Sequence, residues 1–260
     1  MSATLTAGSW SGTSKSSSAM RIAILATDHV RSEFQPEFGD YPDMFQALLG
    51  KAGEQLGVSL KFTTHDVTEG EIPGSVDTDA YLITGSKHSV YDDLPWIADL
   101  VAFLGEVLQQ RRKIIGICFG HQLMAHFFGG RVGPAEQGWG VGLHESQVNE
   151  LAPWYEGPSS AVKLLCSHKD QVLELPDGAR TWSSSEFCPL GGFVISDQVW
   201  TTQGHPEFRH GYSEALMRLR RGDVIPEDVV DAGLASLVDA ADDELVARWI
   251  VEFASAKKNT

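Results

Sequence analysis

Short apolar segments with the character of buried strands alternate, in the first half of the chain, with longer segments of helical periodicity. The predicted strands are residues 21–26, 61–67, 80–84 and 113–118. The predicted helices are residues 41–57, which end on a glycine suited to a C-cap, and residues 96–111. Strands that alternate with helices in this way predict βα units around a parallel sheet that is covered on both faces.

The pattern changes between residues 138 and 203, where short strand-like segments are separated by turn sequences such as Pro-Asp-Gly at 176–178. The predicted strands of this part are residues 162–168, 180–185, 193–197 and 199–203. We expect them to form an antiparallel extension of the sheet, with the last strand leading to His205. Two further helices are predicted towards the C-terminus, at residues 212–222 and 242–258.

The composition fits one globular domain in a reducing compartment. With 260 residues, 42% of them hydrophobic, the chain can bury a large core, and we expect a single domain over residues 20–260. Residues 1–19 are rich in Ser, Thr, Gly and Ala, and we predict a disordered tail without the features of a secretory or transit peptide. Three scattered cysteines do not form a disulfide framework, so a cytoplasmic location is expected.

Charge and hydropathy argue against two classes of partner. A formal net charge of −15 would repel nucleic acid and anionic membrane surfaces over any extended contact. No apolar run reaches the roughly 20 residues that a membrane-spanning helix needs. We therefore expect neither a nucleic-acid partner nor insertion into a membrane.

Cys118 lies between two glycines in the sequence GICFG, residues 116–120, where a predicted strand passes into a helical pattern. A tight strand-to-helix turn strains the backbone of its central residue, and glycine neighbours avoid the resulting clashes. A helix beginning near Phe119 would direct its positive end at the sulfur and favour the thiolate, while the Phe119 amide could donate to an oxyanion. A buried core cysteine is the alternative, so the nucleophile hypothesis requires a base.

The sequence GHPE, residues 204–207, offers such a base together with a carboxylate. His205 and Glu207 are two residues apart, so that in an extended segment both side chains lie on one face. Glu207 could then hold one imidazole nitrogen while the other faces the thiol. Taken alone the segment is typical of a loop with a solvated histidine, but in combination with the upstream cysteine the catalytic interpretation is favoured. His121, one turn into the predicted helix, is a weaker base candidate.

The sequence GICFGHQ, followed later by GHPE, resembles the class I glutamine amidotransferases over most of residues 20–215. These Cys-His-Glu enzymes release ammonia from glutamine through a γ-glutamyl thioester. The resemblance implies Cys118 as nucleophile, His205 as general base and acid, and Glu207 as the group that orients the histidine. It also implies an α/β fold, a three-layer flavodoxin-like sandwich with a mostly parallel central sheet and a small antiparallel extension.

The remaining site residues follow from the same resemblance. Residues 82–93, LITGSKHSVYDD, resemble the glycine-rich loop that supplies a second oxyanion donor beside Phe119; here the donor is Gly85 or Ser86, and Ser86 is favoured. Gln122 resembles a glutamine that contacts the substrate. The segment SHKDQV, residues 167–172, makes His168 and Asp170 candidates, Asp170 because a substrate ammonium needs an anionic or carbonyl partner. A surface turn before a strand is the alternative for both residues.

We expect no second active site in this chain that would use the ammonia. Only about 50 residues follow the triad, without a phosphate-binding loop. The pattern TGS…YDD…W is similar to stand-alone members that include plant γ-glutamyl peptidases, which implies a hydrolase of γ-glutamyl compounds. Lys87 could then meet a carboxylate of a leaving peptide, or simply be solvated. The alternatives are a glutaminase subunit that serves a synthetase partner chain, and a non-catalytic binding module. No metal or cofactor is expected.

Overall fold

The computed structural model describes residues 18–149 and 160–256. The predicted tail, residues 1–19, lies outside these ranges except for its last two residues. Within the described ranges, no helix is long and apolar enough to cross a membrane. The same ranges contain no group of three or more His, Cys, Asp or Glu residues arranged to hold a metal ion.

Eleven strands and seven α-helices are assigned in the described part of the chain. The strands are β1 (Met20–Ala26), β2 (Leu60–Asp66), β3 (Ala80–Ile83), β4 (Lys113–Ile117), β5 (Arg131–Pro134), β6 (Gly140–Val148), β7 (Ala161–His168), β8 (Asp170–Glu174), β9 (Ala179–Ser184), β10 (Gly192–Ile195) and β11 (Val199–Thr202). The helices are α1 (Gln35–Phe38), α2 (Tyr41–Leu56), α3 (Pro95–Gln109), α4 (Phe119–Phe127), α5 (His210–Arg220), α6 (Glu227–Ser236) and α7 (Asp243–Ser255). A short 3₁₀ helix covers Val67–Glu69.

A nine-stranded sheet in the order β2-β1-β3-β4-β11-β10-β9-β6-β7 forms the centre of the fold. The first five strands pair in parallel, and the last four continue the sheet by antiparallel pairing. Strands β5 and β8 form a separate antiparallel pair. The predicted α/β fold class is confirmed, and the antiparallel extension consists of four strands.

Alternate side chains of the parallel strands point into two separate cores, as the pleat of a strand requires. Ile22 and Ile24 of β1 face one core, which α2 and α7 cover; its helical members include Phe45, Leu49, Ile250 and Phe253. Ala23 and Leu25 face the opposite core, which α3 and α4 cover; its helical members include Ile97, Leu100, Leu123 and Met124. The molecule is therefore a three-layer sandwich with helices on both faces of the sheet.

Helix α2 begins and ends where its sequence indicates. The Asp40 carboxylate accepts from the Tyr41 amide at 2.8 Å, and the Asp43 carboxylate reaches back to the Asp40 amide at 2.9 Å, which satisfies amides that have no partner inside the helix. At the other end Gly57 takes the left-handed conformation, with φ 68°. The predicted glycine C-cap is confirmed.

Helix α6 was not predicted, because the sequence indicated two helices after residue 210 and the structure contains three. Val230 and Gly233 of α6 are buried, and Val229 and Leu234 are only partly buried against the same cluster. Gly233 packs closely against the Val141 side chain of β6. The helix is held by this close approach together with a short, partly exposed apolar face.

Helix α7 is expected to contribute strongly to stability, because Ile250 is fully buried between the sheet and α2. The change Ile250→Ala should lower the free energy of unfolding by about 2–5 kcal/mol, through lost apolar burial and the cavity left behind. Urea denaturation would measure it. Val238→Ala, at a side chain that is 87% exposed, should stay within about 0.5 kcal/mol of the parent. Equal unfolding energies for both variants would mean that α7 is not part of the cooperative core.

Candidate active site

Cys118 occupies a strained turn between β4 and α4. Its backbone has φ 49° and ψ −95°, a region that residues other than glycine rarely adopt. The turn is held because the Cys118 amide donates to the Thr202 carbonyl at 2.8 Å and the Gln122 amide donates to the Cys118 carbonyl at 3.0 Å. The thiol is therefore presented at the N-terminus of α4, as the sequence predicts.

The two glycines beside the cysteine are required by contacts across this turn. A Cβ atom on Gly116 would lie 2.7 Å from the carbonyl carbon of Gly120. A Cβ atom on Gly120 would lie 2.8 Å from both the Cβ atom and the carbonyl oxygen of Ile83 in β3. Any larger residue at either position would push β4, α4 and β3 apart.

His205 follows β11, the parallel neighbour of β4 in the sheet. Its amide donates to the Leu165 carbonyl of β7 at 2.8 Å, and its ring stacks on Phe208 with centroids 3.9 Å apart. Since the carboxyl ends of parallel strands meet at one edge of a sheet, the imidazole lies beside Cys118. Both side chains line the same cavity.

Glu207 holds the imidazole on the side away from the cysteine. Its Oε1 lies 2.7 Å from His205 Nδ1, and both side chains are nearly inaccessible to solvent, 1% and 5% exposed. The predicted contact is present, but residues 206 and 207 form a turn and not the extended segment that was expected. A separation of two residues brings the groups together in either conformation.

The buried charges raise the basicity of His205. Burial alone would lower the pKa of His205, but the negative charges of Glu207 and the Cys118 thiolate, and hydrogen bonds with both, raise it to about 10. The imidazole is therefore protonated at neutral pH. Gln203 Nε2 also donates to Cys118 Sγ at 3.5 Å, which adds a second donor to the sulfur.

Two backbone amides are available near the thiol as oxyanion donors. The Gly85 carbonyl is held by the hydroxyl of Thr27 at 3.0 Å and that of Thr84 at 3.2 Å. The peptide bond is trans, so the Ser86 N–H points opposite to that carbonyl, away from the two threonines. Neither the Ser86 nor the Phe119 amide donates a hydrogen bond to another described residue. The Ser86 N–H therefore has no acceptor among the described residues, and Ser86 stays the predicted second oxyanion donor.

Gly85 instead provides space for the imidazole. A Cβ atom at this position would lie 2.7 Å from His205 Cε1 and 3.5 Å from Cys118 Cβ. The predicted oxyanion residues Gly85 and Ser86 thus line the same cavity as Cys118 and His205.

The predicted substrate residues lie on the cavity wall, linked through one carbonyl. The Asp170 carbonyl accepts from Gln122 Nε2 at 2.8 Å and from His168 Nδ1 at 3.1 Å. The Asp170 carboxylate Oδ2 accepts from the hydroxyls of Ser89 and Tyr91, each at 2.8 Å. These residues are built into the site and are not a loose surface turn.

Two buried histidines near Cys118, His121 and His168, are poorly suited to act as a base. Burial, together with the neighbouring His144, lowers the pKa of His168 to about 3. Burial likewise lowers the pKa of His121 to about 3, and its Nδ1 lies 2.9 Å from the Thr201 hydroxyl. Both rings are neutral at physiological pH.

Several residues of the cavity wall were not identified from the sequence. Gln203, which lies outside this wall but contacts Cys118 Sγ, was also not identified, although its place two residues before His205 on the same segment was a usable signal. Asp28 accepts from the Lys87 ammonium at 2.9 Å and from the Lys87 amide at 2.9 Å, so Lys87 is paired although its side chain is 62% exposed. Arg220 and Tyr41 also line the cavity, whose volume is about 420 Å³; neither carries a local motif.

The arrangement places the Cys118 thiol and the His205 imidazole on one cavity, with the Glu207 carboxylate buried behind the ring and two nearby amides that donate to no other described residue. The thiolate is the reactive form of cysteine, and an imidazolium beside the sulfur is positioned to pair with it. The amides can bind a negative oxygen that develops on a substrate carbonyl. The site can therefore support acyl transfer through a thioester.

Comparison with known proteins shows which family and fold the chain is similar to. The family model for glutamine amidotransferase class-I matches residues 38–220. Gamma-glutamyl peptidase 3 of Arabidopsis thaliana is 31% identical over 227 residues, 83% of this chain and 88% of that protein. The glutamine-hydrolyzing GMP synthase of Streptococcus pyogenes is 26% identical over 218 residues, 80% of this chain and 41% of that protein. The crystal structure of a glutamine amidotransferase from Thermotoga maritima shares the fold, with a TM-score of 0.68 at 17% identity, covering 91% of this chain and 99% of that one.

The charge of Glu207 is expected to control the pKa of His205. In Glu207→Gln the negative charge that raises the pKa of His205 is lost, while the burial that lowers this pKa remains. The pKa of His205 should therefore fall well below its parental value. Titration of the ring by imidazole NMR would measure the change. Glu54→Gln, on the exposed face of α2, is the matched control and should leave it unchanged.

The raised pKa of His205 makes the free energy of unfolding depend on pH. The folded-state pKa lies above the value of about 6.5 expected in the unfolded chain. The ion pair therefore stabilises the fold fully below about pH 6.5, and this contribution is lost as the pH rises through about 10. The stability difference between parent and Glu207→Gln should shrink accordingly at alkaline pH. A difference that grows with pH would contradict this assignment.

Proposed function

The chain belongs to the class I glutamine amidotransferase family, and on that basis we propose that it is a cysteine-nucleophile hydrolase of γ-glutamyl amide bonds. Its substrate would be glutamine or a related γ-glutamyl compound. The observation that carries the proposal is the buried His205–Glu207 pair, joined at 2.7 Å, beside a cysteine held in a strained turn. Homologues at about 30% identity include gamma-glutamyl peptidases.

In the proposed reaction the Cys118 thiolate attacks the γ-carbonyl carbon of the substrate. The oxygen takes up the negative charge and accepts hydrogen bonds from the Phe119 and Ser86 amides. When the tetrahedral intermediate collapses, the protonated His205 donates its Nε2 proton to the departing amine. A γ-glutamyl thioester remains on Cys118.

Hydrolysis then regenerates the enzyme. His205, now neutral, accepts a proton from water as the water attacks the thioester carbonyl, and Glu207 keeps the ring in position and stabilises the imidazolium. Collapse of the second intermediate releases glutamate and restores the thiolate–imidazolium pair. No step requires a cofactor.

Gln122, His168 and Asp170 are proposed to hold the α-amino acid end of the substrate. The Asp170 carbonyl and Oδ2 already accept hydrogen bonds, whereas Oδ1 accepts none from a described residue and can meet the ammonium. The Asp170 carbonyl takes the Nδ1 proton of neutral His168, which leaves Nε2 as an acceptor.

A stand-alone hydrolase in the cytoplasm is favoured over a glutaminase subunit. The relative named a gamma-glutamyl peptidase is matched over 88% of its length, whereas the GMP synthase is matched over 41%. The latter similarity supports the alternative, in which a separate synthetase chain receives the ammonia. A non-catalytic module is less well supported, because the cysteine, histidine and carboxylate are all present and in contact.

Glutamate release from a panel of γ-glutamyl compounds tests the proposal. The panel includes glutamine, γ-glutamyl dipeptides and γ-glutamyl amines. Cys118→Ala should reduce kcat/KM at least about 1,000-fold, since the nucleophile is lost. Cys188→Ala removes another buried free cysteine and should retain activity. Parental activity in Cys118→Ala would refute the hydrolase mechanism, and glutamine hydrolysis only with an added partner chain would establish the subunit alternative.

A methyl group at Gly85 is expected to disturb the reaction by displacing the base. The added Cβ atom in Gly85→Ala would lie 2.7 Å from His205 Cε1, so the imidazole must shift. Small misplacements of a catalytic group cost about 100-fold in rate. Gly74→Ala, with no neighbour within 4 Å of the added atom, is the control. Equal kcat/KM values for the two variants would show that His205 tolerates displacement.

A further inference from the structure

A second cavity of about 440 Å³ adjoins the candidate active site. The two cavities share six lining residues: Asp28, Tyr41, Lys87, Leu216, Arg220 and Val224. Cavities of roughly 300–1,000 Å³ hold drug-sized ligands, so the pair offers more room than a γ-glutamyl group requires. A larger substrate can extend from the thiol into the second cavity.

The second cavity lies away from the residues assigned to the glutamyl end. Gln122, His168 and Asp170 line the first cavity and not the second. The wall shared by both cavities contains the C-terminal part of α5. With the glutamyl end beside Asp170, the group on the other side of the scissile bond is directed towards this wall.

Arg220 differs from the other arginines around it. Arg218 pairs with Glu214, Arg221 with Asp231, and Arg31 with Glu33. Arg220 is half-buried, and its guanidinium donates to the Ser167 hydroxyl at 3.1 Å. It forms no ion pair with a carboxylate anywhere in the ranges 18–149 and 160–256. In a chain of net charge −15, a cation left unpaired on a cavity wall is available for an anionic ligand.

The other charges on the second cavity leave Arg220 as its available cation in the described structure. Lys87 forms an ion pair with Asp28, and His29 lies between the carboxylates of Asp40 and Asp66. Asp223 lies on the exposed rim and makes no ion pair with the guanidinium. A ligand carboxylate can therefore approach Arg220 without displacing an existing ion pair.

Apolar side chains complete the wall. Leu216 is buried, whereas Leu219 is 41% and Val224 is 49% exposed, unusually open for large hydrophobic residues. All three line the second cavity. Contact with an apolar group would remove the exposed surface of these residues from water and stabilise binding.

We propose that the second cavity is the subsite for the leaving amine, and that Arg220 binds a carboxylate carried by that amine. The apolar wall takes an adjoining apolar substituent. The preferred substrate class is thus a γ-glutamyl derivative of an apolar amino acid or peptide with a free carboxylate. This inference rests on the proposed γ-glutamyl hydrolase function and adds a specificity-determining residue to it.

Two matched compounds test the role of Arg220. γ-Glutamyl-leucine and its C-terminal carboxamide differ only in the carboxylate of the leaving amine. The parent should favour the acid about tenfold in kcat/KM, since one charge-assisted pair distinguishes the two. In Arg220→Met the ratio of kcat/KM for the acid to that for the amide should fall to near one. Arg220→Lys keeps the positive charge but loses the planar guanidinium that can bind a carboxylate through two hydrogen bonds, so its ratio should be intermediate.

The control is Arg218→Met, on the same helix and paired with Glu214, which should keep the parental ratio. A purely structural role for Arg220 would lower both rates and leave the ratio unchanged. Equal kcat/KM for acid and amide in the parent, or an undiminished ratio in Arg220→Met, would overturn the assignment. If Arg220→Met does not fold, an undiminished ratio in Arg220→Lys would do so.

Binding to the Cys118→Ala protein separates this inference from the proposed function. Calorimetry should give a Kd for γ-glutamyl-leucine about tenfold below that for the carboxamide, and Arg220→Met in the same background should abolish the difference. Absence of turnover by the parent would reject the hydrolase, while this binding difference would still support the Arg220 subsite. Equal Kd values, or no binding of either compound, would reject the subsite.

Discussion

The parallel pairing of β4 with β11 is the contact on which the candidate site depends. Its register places Ile117 opposite Thr202, so the two strands end at the same level of the sheet. The Cys118 amide then continues the ladder by donating to the Thr202 carbonyl. At this point β4 turns into α4 and presents the Cys118 thiol to the cavity, and β11 runs on to His205. Two segments far apart in sequence thus meet through ordinary sheet hydrogen bonds, and the strain at Cys118 is balanced by the pairing beneath it.

Burial of charge imposes the second constraint. His205 and Glu207 are almost inaccessible, and a buried charge is tolerated only when it is paired and hydrogen-bonded. The polar groups continue beyond this pair, because Gln203 joins the Cys118 sulfur to Gln122, which in turn donates to the Asp170 carbonyl. These hydrogen bonds hold the reacting groups in one geometry, while Glu207 Oε2 is buried without a hydrogen-bond partner among the described residues. The low-dielectric setting that makes an unpaired member costly also makes the imidazolium a strong partner for the thiolate.

The parts of the site that local physics determines could be predicted from the sequence. The glycines around Cys118 are required by contacts within one turn and with β3, so GICFG indicates an elbow even without a structure. His205 and Glu207 are so close in sequence that they meet in a turn as readily as in a strand, which is why the pair was predictable although the backbone conformation was not. The fold class followed from the alternation of strands and helices, because periodicity reports which faces are buried.

Residues that meet only through tertiary structure were not predictable in this way. Arg220 is the last residue of α5, and in the sequence it resembles any basic residue at the end of a helix. Only the packing of α5 beside β7 places it on the cavity. Asp28 follows β1 and Lys87 follows β3, and the ion pair between them depends on the parallel neighbourhood of those strands. Helix α6 fully buries only two residues, and its partly exposed apolar face meets β6 and α5 only in the folded chain.

The loop after β3 connects these separate observations. Lys87 fixes it to Asp28 on the side of the second cavity, and Ser89 and Tyr91 fix it to Asp170 on the opposite side. Between these anchors lies the Gly85–Ser86 peptide, whose carbonyl is held by Thr27 and Thr84. The amide proposed to stabilise the oxyanion is thus positioned from three directions before any substrate binds, which is the preorganisation that electrostatic catalysis requires. Since the anchors lie at the two ends of the proposed substrate site, a ligand that engages either end acts on the loop that carries this amide.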